Sequence, residues 1–552
     1  MTSPNRDAFI LTGNIIDVVN NRVFPGKLTI ESGIITSLVA TPDCTYDHYL
    51  SPGLVDAHIH IESSMLAPAE FARVATQHGT VATVSDPHEI ANVLGIRGVE
   101  WMIANGESSP FKFFFGAPSC VPATQFETAG ASLKPADVEY LLQKDAIKYL
   151  AEVMNFPAVI NREPRIMQMI ATAKKMHKRI DGHAPGLTGE ALQQYIAAGI
   201  ETDHECVTLE EAQQRLALGM RVAIREGSAA KNFAALWPVV TEHPQHVFLC
   251  SDDKHPDDLV VDHINALLRR LVANGVAPLT ALQLATLNPV QHYGLPVGLL
   301  RVGDPADIVE WRDLKNFVAQ RTWINGQLVA THEQALLPRT KVYPINQFAA
   351  QQKSPADFQL KVIAGTTARV IGAIDGQLLT TEEHYKFARN QENFEADLSN
   401  DILKIAVVNR YQDAPPTIGL VKNLGLKNSA MASSVAHDSH NIVAAGTCDD
   451  ALCRAINSVI AHKGGLCAVV GEHCETLPLP IAGLMSDQDA WTVAKTFTEL
   501  TASLKANGCT LTSPFMTLSF LALLVIPKLK ISDCNLFDVD AFQPVSIKLE
   551  RQ

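Results

Sequence analysis

From residue 51 to residue 295 the chain alternates two textures. Short apolar runs rich in β-branched and aromatic residues occur at 55–60 (VDAHIH), 80–86, 111–118, 147–153, 179–185, 200–205, 220–227 and 247–253. Between them lie Ala-, Leu- and Gln-rich stretches whose apolar residues recur at helical spacing, such as GEALQQYIAAG and LEEAQQRLALG. Asp137, Thr188 and Thr208 stand where N-caps belong, and Gly199 and Gly219 where helices stop. Eight strand–helix units over about 240 residues predict an α/β fold, a (β/α)8 TIM-like barrel. A doubly wound open sheet is the alternative, but no Gly-rich dinucleotide loop follows the first strand.

The flanks have another pattern. Residues 1–50 carry β-type runs (AFILTGNIIDV, KLTIESGIITSLVA) in which Gly13, Gly26 and Gly33 are read as turns. The same texture returns at 296–340, where Asn325-Gly326 between β-prone runs signals a hairpin. The two flanks are expected to pair into a small β-sandwich domain (1–50 and 296–340) around the barrel (51–295). A polar stretch, NQFAAQQKSPADFQ, reads as a linker to a C-terminal α+β domain (345–552). That domain has β runs such as ILKIAVVNRY and LCAVVG, and helices near 449–462 and 487–507. No internal repeat or low-complexity tract is found.

Composition adds limits. The 552 residues are 47% apolar and 19% charged, with a formal charge of −13, which is ordinary for a packed globular chain. A net acidic chain without a basic cluster is a poor candidate for gripping nucleic acid or an anionic membrane surface. Ten scattered cysteines without a Cys-x-x-Cys exclude zinc ribbons and thioredoxin-type redox motifs and read as reduced thiols. The N-terminal MTSPNRDAFI lacks the layout of a signal peptide. The longest apolar stretch, from Phe515 to Pro527, is short of the ~20 residues of a membrane span and reads as a buried strand or helix. The expectation is a soluble cytoplasmic protein, a homo-oligomer (dimer or higher), with no nucleic-acid or membrane partner.

The chemistry collects at the C-terminal ends of the predicted strands, where barrels of this type carry their active sites. The first strand ends in His58 and His60, the second in Asp86 followed by His88 and Glu89. The fourth ends in Glu152, the fifth in His183, the sixth in His204 and the eighth in Asp252 and Asp253. Residues two apart on a strand face the same way, so His58 and His60 point together. Four imidazoles with several carboxylates are more than an apolar core accepts unpaired. A divalent cation resolves the conflict, and this donor set suits zinc, iron, manganese or cobalt. Pro87-His88-Glu89-Ile90 equally fits a helix start with an acid in its first turn. Glu205 and Asp253 either orient a ligand imidazole or are solvated loop acids. His60-Ile61-Glu62 matches half of the zinc nucleobase deaminase motif, but the Pro-Cys-x-x-Cys half is missing. His88-Glu89-Ile90-Ala91-Asn92 ends in Asn where a zinc protease helix needs His.

The run Pro52-Gly53-Leu54-Val55-Asp56-Ala57-His58-Ile59-His60, followed by lone His, His and Asp at strand ends, resembles the amidohydrolase superfamily. Within it, HIHIESSML, VSDPHEIANVLG, FFFGAPSCVPAT, DGHAPGL, CSDDKHPDDL and Ser434-Val435-Ala436-His437-Asp438-Ser439-His440-Asn441 resemble the adenine deaminases. The resemblance spans essentially the whole chain. It implies hydrolysis of adenine to hypoxanthine and ammonia at a centre of two divalent metals, Mn2+ foremost, with Fe2+ or Zn2+ as alternatives. It also implies that His58, His60 and Asp252 hold one ion and His183 and His204 the other. Many members bridge the ions with a carbamylated lysine on the fourth strand. Here YLAEVMN offers Glu152 at that strand's end, so a glutamate bridge is expected, while Lys148 lies at the opposite end and reads as structural. Asp252, Glu89 and His204 are the expected catalytic residues. His88, Asp86, Asp253, Glu205, His437, Asp438 and His440 are the candidates for lining the pocket or supporting the ligands. The run 437–440 either closes the pocket over the barrel mouth or is a polar turn of its own domain. Competing readings are a cyclic-amide or deacetylase-type hydrolase, a catalytically dead barrel acting as a scaffold, and a redox di-iron protein.

Overall fold

The computed structural model describes residues 8–388 and 392–549. Residues 1–7, on which part of the reading of the N-terminus rests, lie outside the described residues. The first flank forms β1 (Phe9–Asp17), β2 (Arg22–Glu31), β3 (Ile34–Ala40) and β4 (Tyr49–Pro52). Eight strands follow: β5 (Leu54–Ile59), β6 (Thr80–Ser85), β7 (Lys112–Ala117), β8 (Ile147–Val153), β9 (Arg179–Gly182), β10 (Thr202–Asp203), β11 (Arg221–Arg225) and β12 (Val247–Cys250). The second flank supplies β13 (Ile308–Trp311), β14 (Ala319–Ile324) and β15 (Gln327–Thr331).

Strands β5 to β9 form one parallel sheet in sequence order, and β10 to β12 a second. The sheets meet at both ends. Glu201 N–H donates to Ile180 O at 2.9 Å, and Asp252 N–H donates to His58 O at 3.0 Å. Helices separate the strands, as parallel crossovers require. The result is a TIM-like α/β fold. Every predicted apolar run of this region contains a strand, because the runs are buried on both faces, as parallel strands are.

The flanks join in one seven-stranded sheet of order β15-β14-β13-β4-β1-β2-β3. Strand β4 pairs with β13, so the chain enters and leaves the barrel segment through neighbouring strands. Asn325 and Gly326, at φ 48° and 71°, make the turn between β14 and β15. Gly13 and Gly26 are not turns: they face each other inside the β1–β2 pair. A Cβ on Gly26 would lie 2.7 Å from Ile15 Cγ1, so close packing rather than a bend requires the glycine. Asp137 is not an N-cap either. Lys134 takes that position, Pro135 starts the helix Pro135–Leu142, and Asp137 accepts the Lys134 N–H at 2.7 Å from the third helical position. Thr208 does cap its helix, in a reciprocal arrangement with Glu211.

The C-terminal region contains β16 (Thr367–Ala373), β17 (Thr380–Lys386), β18 (Ile402–Val408), β19 (Thr417–Lys422), β20 (Ser429–Ser433), β21 (Ile442–Gly446), β22 (Gly465–Val470) and β23 (His473–Pro478). They form one sheet of order β17-β16-β19-β18-β21-β20-β22-β23. Helix Asp449–Ala461 covers one face, burying Leu452, Ile456 and Val459 against Ala432, Ala444 and Val469. The apolar stretch from Phe515 begins with the buried helix Pro514–Phe520. No described helix is long and apolar enough to cross a membrane. The turn between β20 and β21 (434–441) is buried throughout and reaches the barrel mouth.

Candidate metal centre

The strand ends deliver their side chains into one buried cluster. Strand β5 ends so that His58 and His60 both turn inward, their rings 4.9 Å apart. Asp252 follows β12 in the left-handed region, at φ 54°, a conformation Asp tolerates better than most residues. Its backbone N–H is tied to His58 O, which fixes the first and last strands of the region together. His58 Nε2 and His60 Nε2 lie 3.5 and 3.4 Å from Asp252 Oδ1, and His60 Nε2 lies 3.4 Å from Glu152 Oε1. The other Glu152 oxygen, Oε2, is 2.9 Å from His183 Nδ1 and 3.2 Å from His204 Nε2. Glu152 thus has one oxygen on each of two donor groups. His58 also stacks on His204, at 4.0 Å between ring centroids.

His183 follows Gly182, where a Cβ would come within 2.4 Å of Thr202 O. Only glycine lets β9 and β10 approach this closely. Behind His204, Asp203 is fully buried; its carboxylate accepts the backbone N–H groups of Ala184 (3.1 Å) and Glu205 (3.2 Å) and pairs with the buried Arg215. Arg215 also donates to Ala184 O at 2.6 Å. One ion pair therefore fastens both loops that carry the ligand-type histidines His183 and His204.

Sequence reasoning missed Arg225, although it ends β11 where a site residue is due. It is buried, grips both oxygens of Glu205, and donates to Asp252 Oδ2 at 2.9 Å. Glu205 is consequently no solvated acid: its Oε1 faces His183 Nδ1 and His204 Nε2, each at 3.4 Å. Asp253 is buried too and accepts from Ser63 Oγ at 2.5 Å. Burial pushes the Asp252 carboxyl up, but Arg225, His58 and His60 overrule it and hold it well below the usual range. Burial likewise opposes ionisation of Glu152, and His183 and His204 overrule it.

Asp86 and His88 complete the cluster beside His60 and Glu152. His88 opens the helix His88–Leu94 with Glu89 in its first turn, as the helix-start reading has it, and both side chains also reach the buried donor groups. Glu89 is gripped through both oxygens, by His437 Nδ1 and His440 Nε2 from the C-terminal region. Burial pushes the Glu89 carboxyl up, and the two imidazoles reverse this to hold it well below the carboxylate range. Burial lowers His437, but Glu89 carries it up to about 9. Burial takes His440 down to about 4 despite the same carboxylate. Asp438 Oδ1 lies 3.9 Å from His88 Nε2, and burial pushes its carboxyl up to about 6. A cavity of about 1500 Å3 opens alongside, walled by Met154, Glu205 and Arg225 from the barrel and by Leu378 and Ile526 from the C-terminal region.

The fit to metal ions is direct. His58 Nε2, Asp86 Oδ2 and His88 Nδ1 are buried without hydrogen-bond partners, inside clusters whose donor atoms all lie within 4.8 Å of one another. Converging lone pairs in a dry site need a positive charge between them.

A TIM-like fold with such donors at its strand ends is the arrangement of a metal-dependent hydrolase. Residues 49–329 match the family model described as "Amidohydrolase family", a family that carries a divalent metal, and residues 377–543 match "Adenine deaminase C-terminal domain". The chain is 52% identical over 533 residues to the adenine deaminase of Sulfurovum sp. (strain NBC37-1), covering 96% of this chain and 98% of the relative. It is 49% identical to that of Salinibacter ruber and 47% identical to that of Methanosarcina mazei, each over 97% of this chain and 98% of the relative. The chain belongs to the adenine deaminase family of amidohydrolases.

Proposed function

We propose that the protein hydrolyses adenine at C6, giving hypoxanthine and ammonia in purine salvage or catabolism. One observation carries the reading: four imidazoles and two carboxylates from five strand ends meet in one buried cluster, under a cap that joins His437 and His440 to Glu89. His58, His60 and Asp252 would hold one divalent ion and His183 and His204 the other, with Glu152 available to both. Two ions per chain, Mn2+ first and Fe2+ or Zn2+ next, agree with a nitrogen and oxygen donor set. When bound, they act as Lewis acids and bring the pKa of water towards neutrality.

Asp252 takes the proton of the attacking water and passes it to the departing amine, since ammonia leaves poorly unless its nitrogen is protonated. Arg225 keeps the Asp252 carboxylate aimed for that transfer. Glu89 protonates or hydrogen-bonds a purine ring nitrogen. The Glu152 Oε2 contact at 3.2 Å favours a ligand role for His204 over ring polarisation. A neutral base needs no cationic phosphate clamp, in keeping with the acidic chain. The reading extends to a closed (β/α)8 barrel (51–295), a small β-sandwich domain from the flanks (1–50 and 296–340) and a C-terminal α+β domain (345–552). It further takes the protein as cytoplasmic and homo-oligomeric, and the last domain as a lid on the barrel mouth.

The test is loss of the adenine absorbance band with chelator-stripped and Mn2+-reloaded protein. Metal-dependent turnover to hypoxanthine supports the reading. Asp252→Asn should cut kcat by about 10²–10⁴-fold and leave the KM for adenine largely intact; near-wild-type turnover in that variant removes the proton-transfer role.

A further inference from the structure

The two proposed ions leave two donors unused, Asp86 and His88, beside the shared Glu152. Asp86 follows β6, and His88 begins the next helix; the His88 backbone N–H donates to Asp86 Oδ1 at 3.0 Å, which fixes the carboxylate. The second oxygen, Asp86 Oδ2, lies 3.2 Å from His88 Nδ1, and His88 Nδ1 lies 3.5 Å from Glu152 Oε1. Asp86 is 1% exposed and His88 4%, and neither Oδ2 nor Nδ1 has a hydrogen-bond partner. On its far side, His88 Nε2 faces two carboxylate oxygens, Glu89 Oε1 at 3.6 Å and Asp438 Oδ1 at 3.9 Å. Asp86 Oδ2, His88 Nδ1 and Glu152 Oε1 thus converge in one buried space, two of them unpartnered, an arrangement that a cation would satisfy.

We infer that Asp86 Oδ2, His88 Nδ1 and Glu152 Oε1 hold a third divalent cation. The inference rests on the two-ion centre proposed above, with which it shares Glu152. His60 Nε2 lies in the same cluster but is directed at Asp252 and Glu152, so it stays with the first ion. Three protein donors leave coordination positions open, as in sites that also take water or substrate. Two carboxylates and one imidazole suit Mn2+, Fe2+ or Zn2+. His88 links the site outward to Glu89 and Asp438, and thereby to the run from the C-terminal region.

The experiment is an ion count. Full-length protein is stripped with a chelator, reloaded with Mn2+, desalted, and analysed for manganese per chain by mass spectrometry, beside Asp86→Asn and His88→Gln. The expected result is about three ions in the wild type and about two in each variant. A wild type with about two ions overturns the third site, and adenine turnover in the same sample shows that the proposed function survives. Three ions in the wild type and in both folded variants overturn the assignment to these residues. A wild type without tightly bound ions overturns both readings. Circular dichroism checks the variants; if neither folds, the wild-type count and a titration of free Mn2+ by electron paramagnetic resonance decide alone.

Discussion

Removing the Arg215 guanidinium tests how the fold holds the loops of His183 and His204. Arg215 is fully buried, its charge is answered by Asp203, and two of its N–H groups reach the carbonyls of Ala184 and Glu211, at 2.6 and 3.3 Å. In Arg215→Met the methionine fills much of the volume, so the cost is electrostatic. Burial pushes the Asp203 carboxyl up, and Arg215 foremost, with His204 and the Glu205 N–H, brings it down. Without that partner the carboxylate is stranded in a dry interior, a situation worth about 3–5 kcal/mol. At ~2–4 °C per kcal/mol for a unit of ~150–250 residues, the calorimetric transition that contains the barrel should fall by roughly 6–20 °C. The double variant Asp203→Asn/Arg215→Met should be less damaged than Arg215→Met alone, because the stranded charge is gone. Mn2+ affinity should drop in the single variant, since Asp203 orders the backbone beside His183 and His204. The reasoning fails if Arg215→Met melts within ~2 °C of the wild type, or if the two single losses simply add in the double variant.

Glu89→Gln should reduce adenine turnover by about 10²-fold or more and shift the pH profile, because His437, held at about 9 by the carboxylate after burial has opposed it, would lose its partner; unchanged kinetics at all pH values would remove Glu89 from the site. Chelation of a metal-loaded sample should lower the melting temperature as well as the activity, because binding energy to the folded state is lost; an unchanged melting curve would contradict the need for a cation in the cluster. Cys474 faces Cys467 across the β22–β23 pair, with sulfurs 3.5 Å apart, and the hydrogen bond from Cys467, aided by Ser458 and Arg454, lowers its thiol to about 6 against the burial that raises it. The thiolate is the reactive form and accumulates above that pH. Alkylation at pH 7 should thus label Cys474 ahead of the exposed Cys44, Cys448 and Cys534, as read by peptide mass mapping; equal labelling would refute the low pKa.

The periodicity alone laid out the eight strands, because a parallel strand buried on both faces must be apolar along its length. The position rule for strand ends then selected His58, His60, Asp86, Glu152, His183, His204 and Asp252, since a side chain at that place opens on the barrel mouth whatever the loops do. Glycine was ambiguous in the sequence: Gly13 and Gly26 look like turn residues until their partners across the sheet are known. Asp137 shows the same limit at a helix start, where three residues separate a cap from its reciprocal partner. Arg225 escaped notice because a basic residue at a strand end signals little until the carboxylates it joins, Glu205 and Asp252, are brought beside it. The contact of Glu89 with His437 and His440 spans about 350 positions, and no local pattern encodes a pairing of that range. Local sequence thus determined the elements and the kinds of atom at the centre, because backbone geometry and burial act over a few residues. Tertiary structure alone decided which donor atoms converge, which charges are buried together and which distant segment meets Glu89, because those energies depend on distances that only packing fixes.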